Sequence, residues 1–205
     1  MIGIVDYGVG NLFSLISSFR FIGEEAVIAK DPEALNACDK VILPGVGAFG
    51  DAAKKLAVSG MKEAVLEAAA KEKPLLGICL GMQLLFEKGY EFGEHAGLGL
   101  IGGSVKSIAP VIGADLKVPQ IGWNSLIFPK EREKSPLYRY TREGDFVYFV
   151  HSYAAMDCEE FVTARTEYGA LLTASAENGN VYGTQFHPEK SGSVGLGILK
   201  AFCEL

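Results

Sequence analysis

The run Leu75-Leu76-Gly77-Ile78-Cys79-Leu80-Gly81-Met82-Gln83-Leu84-Leu85 leaves this chain few folds to choose from. A short apolar strand runs into one cysteine with glycine two residues to either side, and a helical pattern follows at once. Glycines at those places permit a strand-to-helix turn tight enough to lift the middle side chain above a sheet edge. A cysteine held there lies against the positive end of the following helix, which favours the thiolate. It also lies near backbone N–H groups able to hold a developing oxyanion. An inert packing cysteine fits this run taken alone just as well, because cysteine is among the most buried residue types.

The stretches before Cys79 alternate apolar runs with helical patterns, which predicts a parallel sheet covered by helices. Strands are expected at residues 2–5, 26–28 and 40–43, with a fourth leading into Cys79. An amphipathic helix over 11–22 carries Leu12, Leu15, Ile16 and Phe19 on one face and stops at Gly23. Residues 48–73 read as helix broken near Ser59-Gly60. After Lys88 the pattern changes to glycine-rich turns and short alternating segments at 104–108, 116–121, 126–128, 146–150, 161–166, 171–176 and 181–186. These predict antiparallel strands at the edge of the parallel core, and residues 193–204 close the chain as a helix. One mixed α/β domain over 1–205 accounts for the whole pattern.

Composition narrows the function. A length of 205 residues, 49% of them apolar, supports a substantial core. The net charge of −6, with no block of Lys or Arg, argues against a nucleic-acid surface or a polybasic membrane patch. No apolar run approaches the roughly 18 residues that span a bilayer, and the first residues read as a strand, not a secretory signal. A soluble, cytoplasmic protein is expected. Cys38, Cys79, Cys158 and Cys203 are scattered without metal or disulfide spacing, so they are expected to be reduced and to hold no metal.

Three histidines could serve a Cys79 nucleophile. His187 ends an apolar segment, with Glu189 two residues on. On extended chain such residues point the same way, so the carboxylate could orient the imidazole. His187 would then take the thiol proton and return it to a leaving amine. A strand-end histidine beside a solvated glutamate is the plainer alternative. His151 also follows an apolar strand but lacks a carboxylate close in sequence, so it ranks second as base. His95 reads as a surface loop residue. Pro44-Gly45-Val46-Gly47 follows the third strand, and ligands gather at the carboxyl ends of parallel strands. Val46 or Gly47 could aim one N–H at an oxyanion while Leu80 aims another, although an ordinary tight loop explains the four residues equally well.

Taken together, Gly77 to Gly81, Pro44 to Gly47 and Phe186-His187-Pro188-Glu189 resemble the class I, triad-type glutamine amidotransferases. The resemblance covers the whole chain in order. Four further stretches are Asp6-Tyr7-Gly8-Val9-Gly10-Asn11, Pro119-Gln120-Ile121-Gly122-Trp123-Asn124, Val150-His151-Ser152-Tyr153 and Gln185 to Ser191. They resemble the branch that supplies ammonia to a barrel-shaped cyclase in histidine biosynthesis. The resemblance implies a three-layer α/β fold with a mostly parallel central sheet flanked by helices and antiparallel edge strands. It implies hydrolysis of L-glutamine through a thioester on Cys79, with His187 as general base and acid and Glu189 as orienter, without a cofactor. Gly47, Gln83, Ser152 and Tyr153 would contact glutamine. Tyr7, Asn11, Gln120, Trp123, Asn124 and Lys190 would lie toward the cyclase in a heterodimer that yields imidazole glycerol phosphate and an aminoimidazole carboxamide ribotide. Rival readings are the amidotransferase subunits of pyridoxal phosphate or anthranilate synthesis, which the Asp6 to Asn11 opening disfavours, and a non-enzymatic interaction module on the same fold.

Overall fold

The computed structural model describes residues 1–205. Its first half contains strands β1 (Ile2–Val5), β2 (Ala26–Ala29), β3 (Lys40–Leu43) and β4 (Leu75–Ile78), and helices α1 (Leu12–Phe21), α2 (Pro32–Asn36), α3 (Phe49–Val58), α4 (Met61–Ala70) and α5 (Leu80–Leu85). Local chemistry sets several of these boundaries. The Asn11 side chain accepts from Ser14 N at 3.2 Å and caps α1. Asp31 caps α2 with Pro32 directly behind it, and Gly60, at φ 74°, separates α3 from α4. The second half contributes β5 (Phe86–Gly89), β6 (His95–Ala96), β7 (Ile101–Ser107), β8 (Gln120–Ser125), β9 (Phe146–His151), β10 (Tyr153–Met156), β11 (Val162–Glu167), β12 (Leu171–Asn178), β13 (Val181–Thr184) and α6 (Gly192–Cys203).

The central sheet has the order β11-β12-β13-β4-β3-β1-β2, parallel from β13 to β2, with β11 and β12 antiparallel at one edge. Strand side chains alternate between its two faces. On one face Val41, Leu43 and Leu75 pack with Phe49, Leu56 and Val65 of α3 and α4. On the other, Ile42, Leu76 and Ile78 pack with Leu15 and Phe19 of α1 and Phe202 of α6. The result is the expected three-layer arrangement.

The register places the site. Leu43 of β3 stands opposite Gly77 of β4, and Thr184 of β13 stands opposite Ile78. The Pro44 loop, Cys79 and the Gln185 to His187 segment therefore leave the sheet side by side along one carboxyl edge.

The second half differs from the expected edge strands. Only β11 and β12 are antiparallel neighbours of the core, and β13 lies inside it as a parallel partner of β4. The strands β10-β7-β5-β6 and β8-β9 form two further sheets. Alternation reports that a segment is half-buried but not which strand it pairs with. The segment expected at 116–121 becomes strand only at Gln120, since Pro119 has no N–H for a ladder. The stretch 126–128 keeps a single bridge, Ile127 to Arg165. The helix α2 and the strands β5 and β6 had no periodic signal of their own, being two to five residues long. No helix is long and apolar enough to cross a membrane, and all four cysteines are unpaired.

Candidate active site

Cys79 occupies the turn between β4 and α5 at φ 55° and ψ −113°. A non-glycine residue in that region stores strain of about 1–3 kcal/mol, and such strain persists only where the surroundings impose it. Here they do. Cys79 N donates to Thr184 O at 2.7 Å, and Cys79 O accepts from Gln83 N at 3.1 Å. Both flanking glycines are sterically required. A Cβ at Gly77 would stand 2.7 Å from Gly81 O, and one at Gly81 would collide with the Leu43 carbonyl oxygen. Leu80 is the first residue of α5, so its N–H has no partner within the helix and is free to face a ligand.

His187 lies beyond the end of the neighbouring strand β13. Its N–H donates to Tyr148 O at 3.0 Å, and Ser191 Oγ donates to its carbonyl oxygen at 2.6 Å. His187 Nδ1 stands 2.8 Å from Glu189 Oε1, with both side chains nearly inaccessible to solvent. The chain between them is not extended. A 3-10 turn over Pro188–Lys190 folds the carboxylate back onto the ring, so the two-residue spacing works through a turn and not through strand geometry.

The electrostatics favour a charged imidazole. Burial alone would depress the His187 pKa, but the nearby Cys79 sulfur and the hydrogen-bonded Glu189 carboxylate outweigh it and carry the pKa up to about 9. A raised histidine pKa stabilises the fold fully below the unfolded value near 6.5, and that contribution disappears as pH climbs through about 9. The free chain should therefore lose on the order of 3 kcal/mol across that window. Glu189→Gln, which removes the charge, should flatten the loss, and urea unfolding of both proteins at pH 6 and pH 9.5 reads the difference. Equal pH slopes would contradict the pairing.

His151, the competing base, is disposed of by its surroundings. Its Nδ1 lies 2.9 Å from the Tyr153 carbonyl oxygen and its Nε2 lies 2.9 Å from the Gln120 side-chain amide. Burial, partly offset by the Tyr153 contact and reinforced by the charge of His187, pulls its pKa down to about 4. Burial keeps the ring neutral, and with both nitrogens engaged by neighbours it acts as scaffold. His95 is not a surface loop residue either. It belongs to β6, and its ring packs so close to Gly50 that a Cβ there would stand 2.7 Å from its Cε1.

A cavity of about 330 Å³ joins these groups. Its walls include Cys79, Leu80, Gln83, His187, Val46, Gly47, Ser152, Tyr153 and Lys190, so the thiol, the imidazole, the Pro44 loop and the expected glutamine contacts line one space. Gly47 has φ 97°, a conformation open to glycine, and a Cβ on Gly45 would stand 2.7 Å from Gly81 N. The loop thus packs directly on the cysteine turn. Gln83, expected to hold substrate, has both amide hydrogens engaged within the protein. It donates to Tyr153 O and to Gln185 Oε1, each at 2.9 Å.

Two of the residues expected to face a partner are interior. Tyr7 is buried, and its hydroxyl donates to Pro44 O at 2.7 Å, bracing the loop beside Cys79 from behind. Burial and then the nearby Cys79 push its phenol pKa up. Gln120 is fully buried, and its amide bridges His151 and Asn124. The alternating pattern around each correctly marks a strand or strand end but not which side of it is covered. Asn11 and Lys190 are exposed, Asn124 is partly covered, and Trp123 remains half-exposed with its ring edge-on to Tyr148. Glu91 was not singled out from the sequence. It lines the cavity, and its Oε2 accepts from Phe49 N at 2.7 Å at the start of α3. One glutamate among several in a glycine-rich stretch carries no spacing signal.

The model of the glutamine amidotransferase class-I family matches residues 4–204. The chain is 53% identical to imidazole glycerol phosphate synthase subunit HisH of Wolinella succinogenes, covering all of both chains. It is 47% identical to the subunit of that name from Methanothermobacter thermautotrophicus, over 100% of this chain and 98% of the relative. Among solved structures, a glutamine amidotransferase superposes with a TM-score of 0.76 at 19% identity, covering 99% of this chain and 97% of its own. A chain from the structure of PurLQS from Thermotoga maritima superposes with a TM-score of 0.75 at 20% identity, with the same coverage. At those identities the two structures speak for the fold.

Proposed function

This chain belongs to the class I glutamine amidotransferases, among the relatives named imidazole glycerol phosphate synthase subunit HisH, and from that premise we propose how its residues carry out the reaction. The activity is hydrolysis of L-glutamine to glutamate and ammonia, with the ammonia passed to the cyclase subunit of the synthase for histidine biosynthesis. The observation that carries the residue-level reading is the meeting of Cys79, His187 and the Pro44 loop around one cavity at a sheet edge.

Cys79 Sγ attacks the side-chain amide carbon of glutamine. The N–H groups of Leu80 and of the Val46 to Gly47 segment stabilise the oxyanion of the tetrahedral intermediate. His187, held by Glu189, carries the proton from the thiol to the departing nitrogen, and ammonia leaves from a glutamyl thioester. His187 then takes a proton from water, whose oxygen attacks the thioester carbon, and glutamate is released with Cys79 restored. Glu91 supplies a negative charge in the cavity for the α-ammonium of glutamine, while Ser152 and Tyr153 hold its carboxylate end. Gln83 lines the same cavity, its NH2 group engaged by Tyr153 and Gln185 and its amide oxygen open to glutamine.

Partner contacts fall to exposed groups beside the cavity: Trp123 with its neighbour Asn124, Asn11, and Lys190 at the cavity wall. Tyr7 and Gln120 support that face from beneath it. The partner is a barrel-shaped cyclase, and the complex is a heterodimer working in the cytoplasm, one glutaminase domain over 1–205 to each cyclase. The test is co-expression with the cyclase subunit from the same organism. A stable one-to-one complex that releases glutamate from glutamine is expected. Glutaminase activity that ignores the cyclase and its nucleotide substrate, with no complex on gel filtration, would overturn the partner assignment.

A further inference from the structure

Gln185 is fully buried between β13 and His187, and nothing in the reaction above uses it. Its Nε2 lies 3.8 Å from Cys79 Sγ, within hydrogen-bonding distance for sulfur. Which end of an amide faces a neighbour is ordinarily ambiguous, because its oxygen and nitrogen have nearly the same shape. Here a chain of obligate partners removes the ambiguity. The Tyr153 carbonyl oxygen can only accept, so the group of Gln83 that faces it at 2.9 Å must be the NH2. The second hydrogen of that NH2 points at the Gln185 amide, also at 2.9 Å, so Gln185 must turn its oxygen toward Gln83. Its own NH2 is then directed at the sulfur. Reversing Gln185 would bring two NH2 groups together, and reversing Gln83 would bring two oxygens together, in a place where neither is relieved by solvent.

We propose that Gln185 is a catalytic hydrogen-bond donor to the Cys79 sulfur, stabilising the thiolate before attack and the thiol leaving group during thioester hydrolysis. Gln83 is its positioning residue, transmitting the orientation of the Tyr153 carbonyl to the amide that touches sulfur. The donor works alongside His187 and differs from it in kind, because an amide keeps its hydrogens at every working pH. Stabilisation by Gln185 is therefore present whether His187 is holding or has released its proton. The same chain ties the glutamine pocket wall at Tyr153 to the nucleophile, so a shift of that backbone carbonyl weakens the donor.

The proposal rests on Cys79 as nucleophile, and the experiment separates the two. Cys79 in the full-length chain is alkylated with iodoacetamide from pH 5 to pH 10, with the Cys79 peptide followed by mass spectrometry. Gln185→Met, close in volume but without a donor, should move the half-maximal pH upward by about one unit, which lowers the rate at pH 7 about tenfold. Gln83→Met, which does not touch sulfur, should move it in the same direction by less. In the Gln185→Met background it should add nothing, because its effect runs through Gln185. A midpoint that stays in place in both variants, or a Gln83→Met effect that persists in full in the double variant, overturns the proposal. Should Gln185→Met fail to fold, an unmoved midpoint in Gln83→Met overturns it alone. No alkylation of Cys79 in the unsubstituted protein would remove the nucleophile assignment, and this role with it.

Discussion

Cys79→Ala is expected to abolish glutamine hydrolysis while leaving the chain folded and able to bind its cyclase. The sulfur is the only atom lost, and it sits at the mouth of a turn whose backbone is held independently, by Thr184 O on one side and Gln83 N on the other. Alanine also fits the position, because it is smaller than cysteine and the sulfur borders the cavity. Removing a covalent nucleophile leaves only binding and oxyanion stabilisation, and the loss in turnover should exceed about 10⁴-fold. Glutamate release measured with the cyclase and its nucleotide present checks the first half, and gel filtration of the mixed subunits checks the second. Residual hydrolysis within a hundredfold of the parent would assign the nucleophile elsewhere. Loss of the complex would mean that the sulfur is part of the fold.

Gly81→Ala should destabilise this protein severely. The new Cβ would be driven into the carbonyl oxygen of Leu43, at the end of β3, with the backbone of Pro44 close behind it. Neither neighbour is a flexible side chain. Leu43 is held in register between β1 and β4, and Pro44 begins the loop that Tyr7 braces. Relief requires α5 to swing away from the sheet, which drags Cys79 out of line with His187. We expect failure to fold, or a loss of at least about 4 kcal/mol, above the usual range for overpacking because backbone meets backbone. Urea unfolding measures it. A variant within 1 kcal/mol of the parent would show that the turn at Cys79 has room that the geometry denies.

The candidate catalytic elements were legible before any coordinates because each depends on local chemistry. A cysteine flanked by glycines, a loop with glycines at Gly45 and Gly47, and a histidine followed by Pro188 and Glu189 are each written in consecutive residues. Their common location follows from one rule about parallel strands. What could not be read was which side of a strand is covered. Tyr7 and Gln120 stand in stretches that also hold exposed residues, and both turned out to be interior supports. Gln83 and His151 look like ligand-binding groups because they are polar and close to the site. Only their hydrogen-bond partners, contributed by segments up to about a hundred residues away, show that both ring nitrogens of His151 and both amide hydrogens of Gln83 are already engaged. Glu91 was missed for the converse reason, since nothing near it in sequence distinguishes it.

By itself the sequence determined the parallel core and the sharp turn at Cys79, and it singled out the candidate reacting groups, because strand and helix periodicity and the conformational freedom of glycine act over a few residues. The tertiary structure alone decided how β3, β4 and β13 line up, which polar side chains are interior supports, and which way the buried amides point. Those outcomes depend on strand order and on donors and acceptors that meet only after distant segments are brought together, and no local pattern records them.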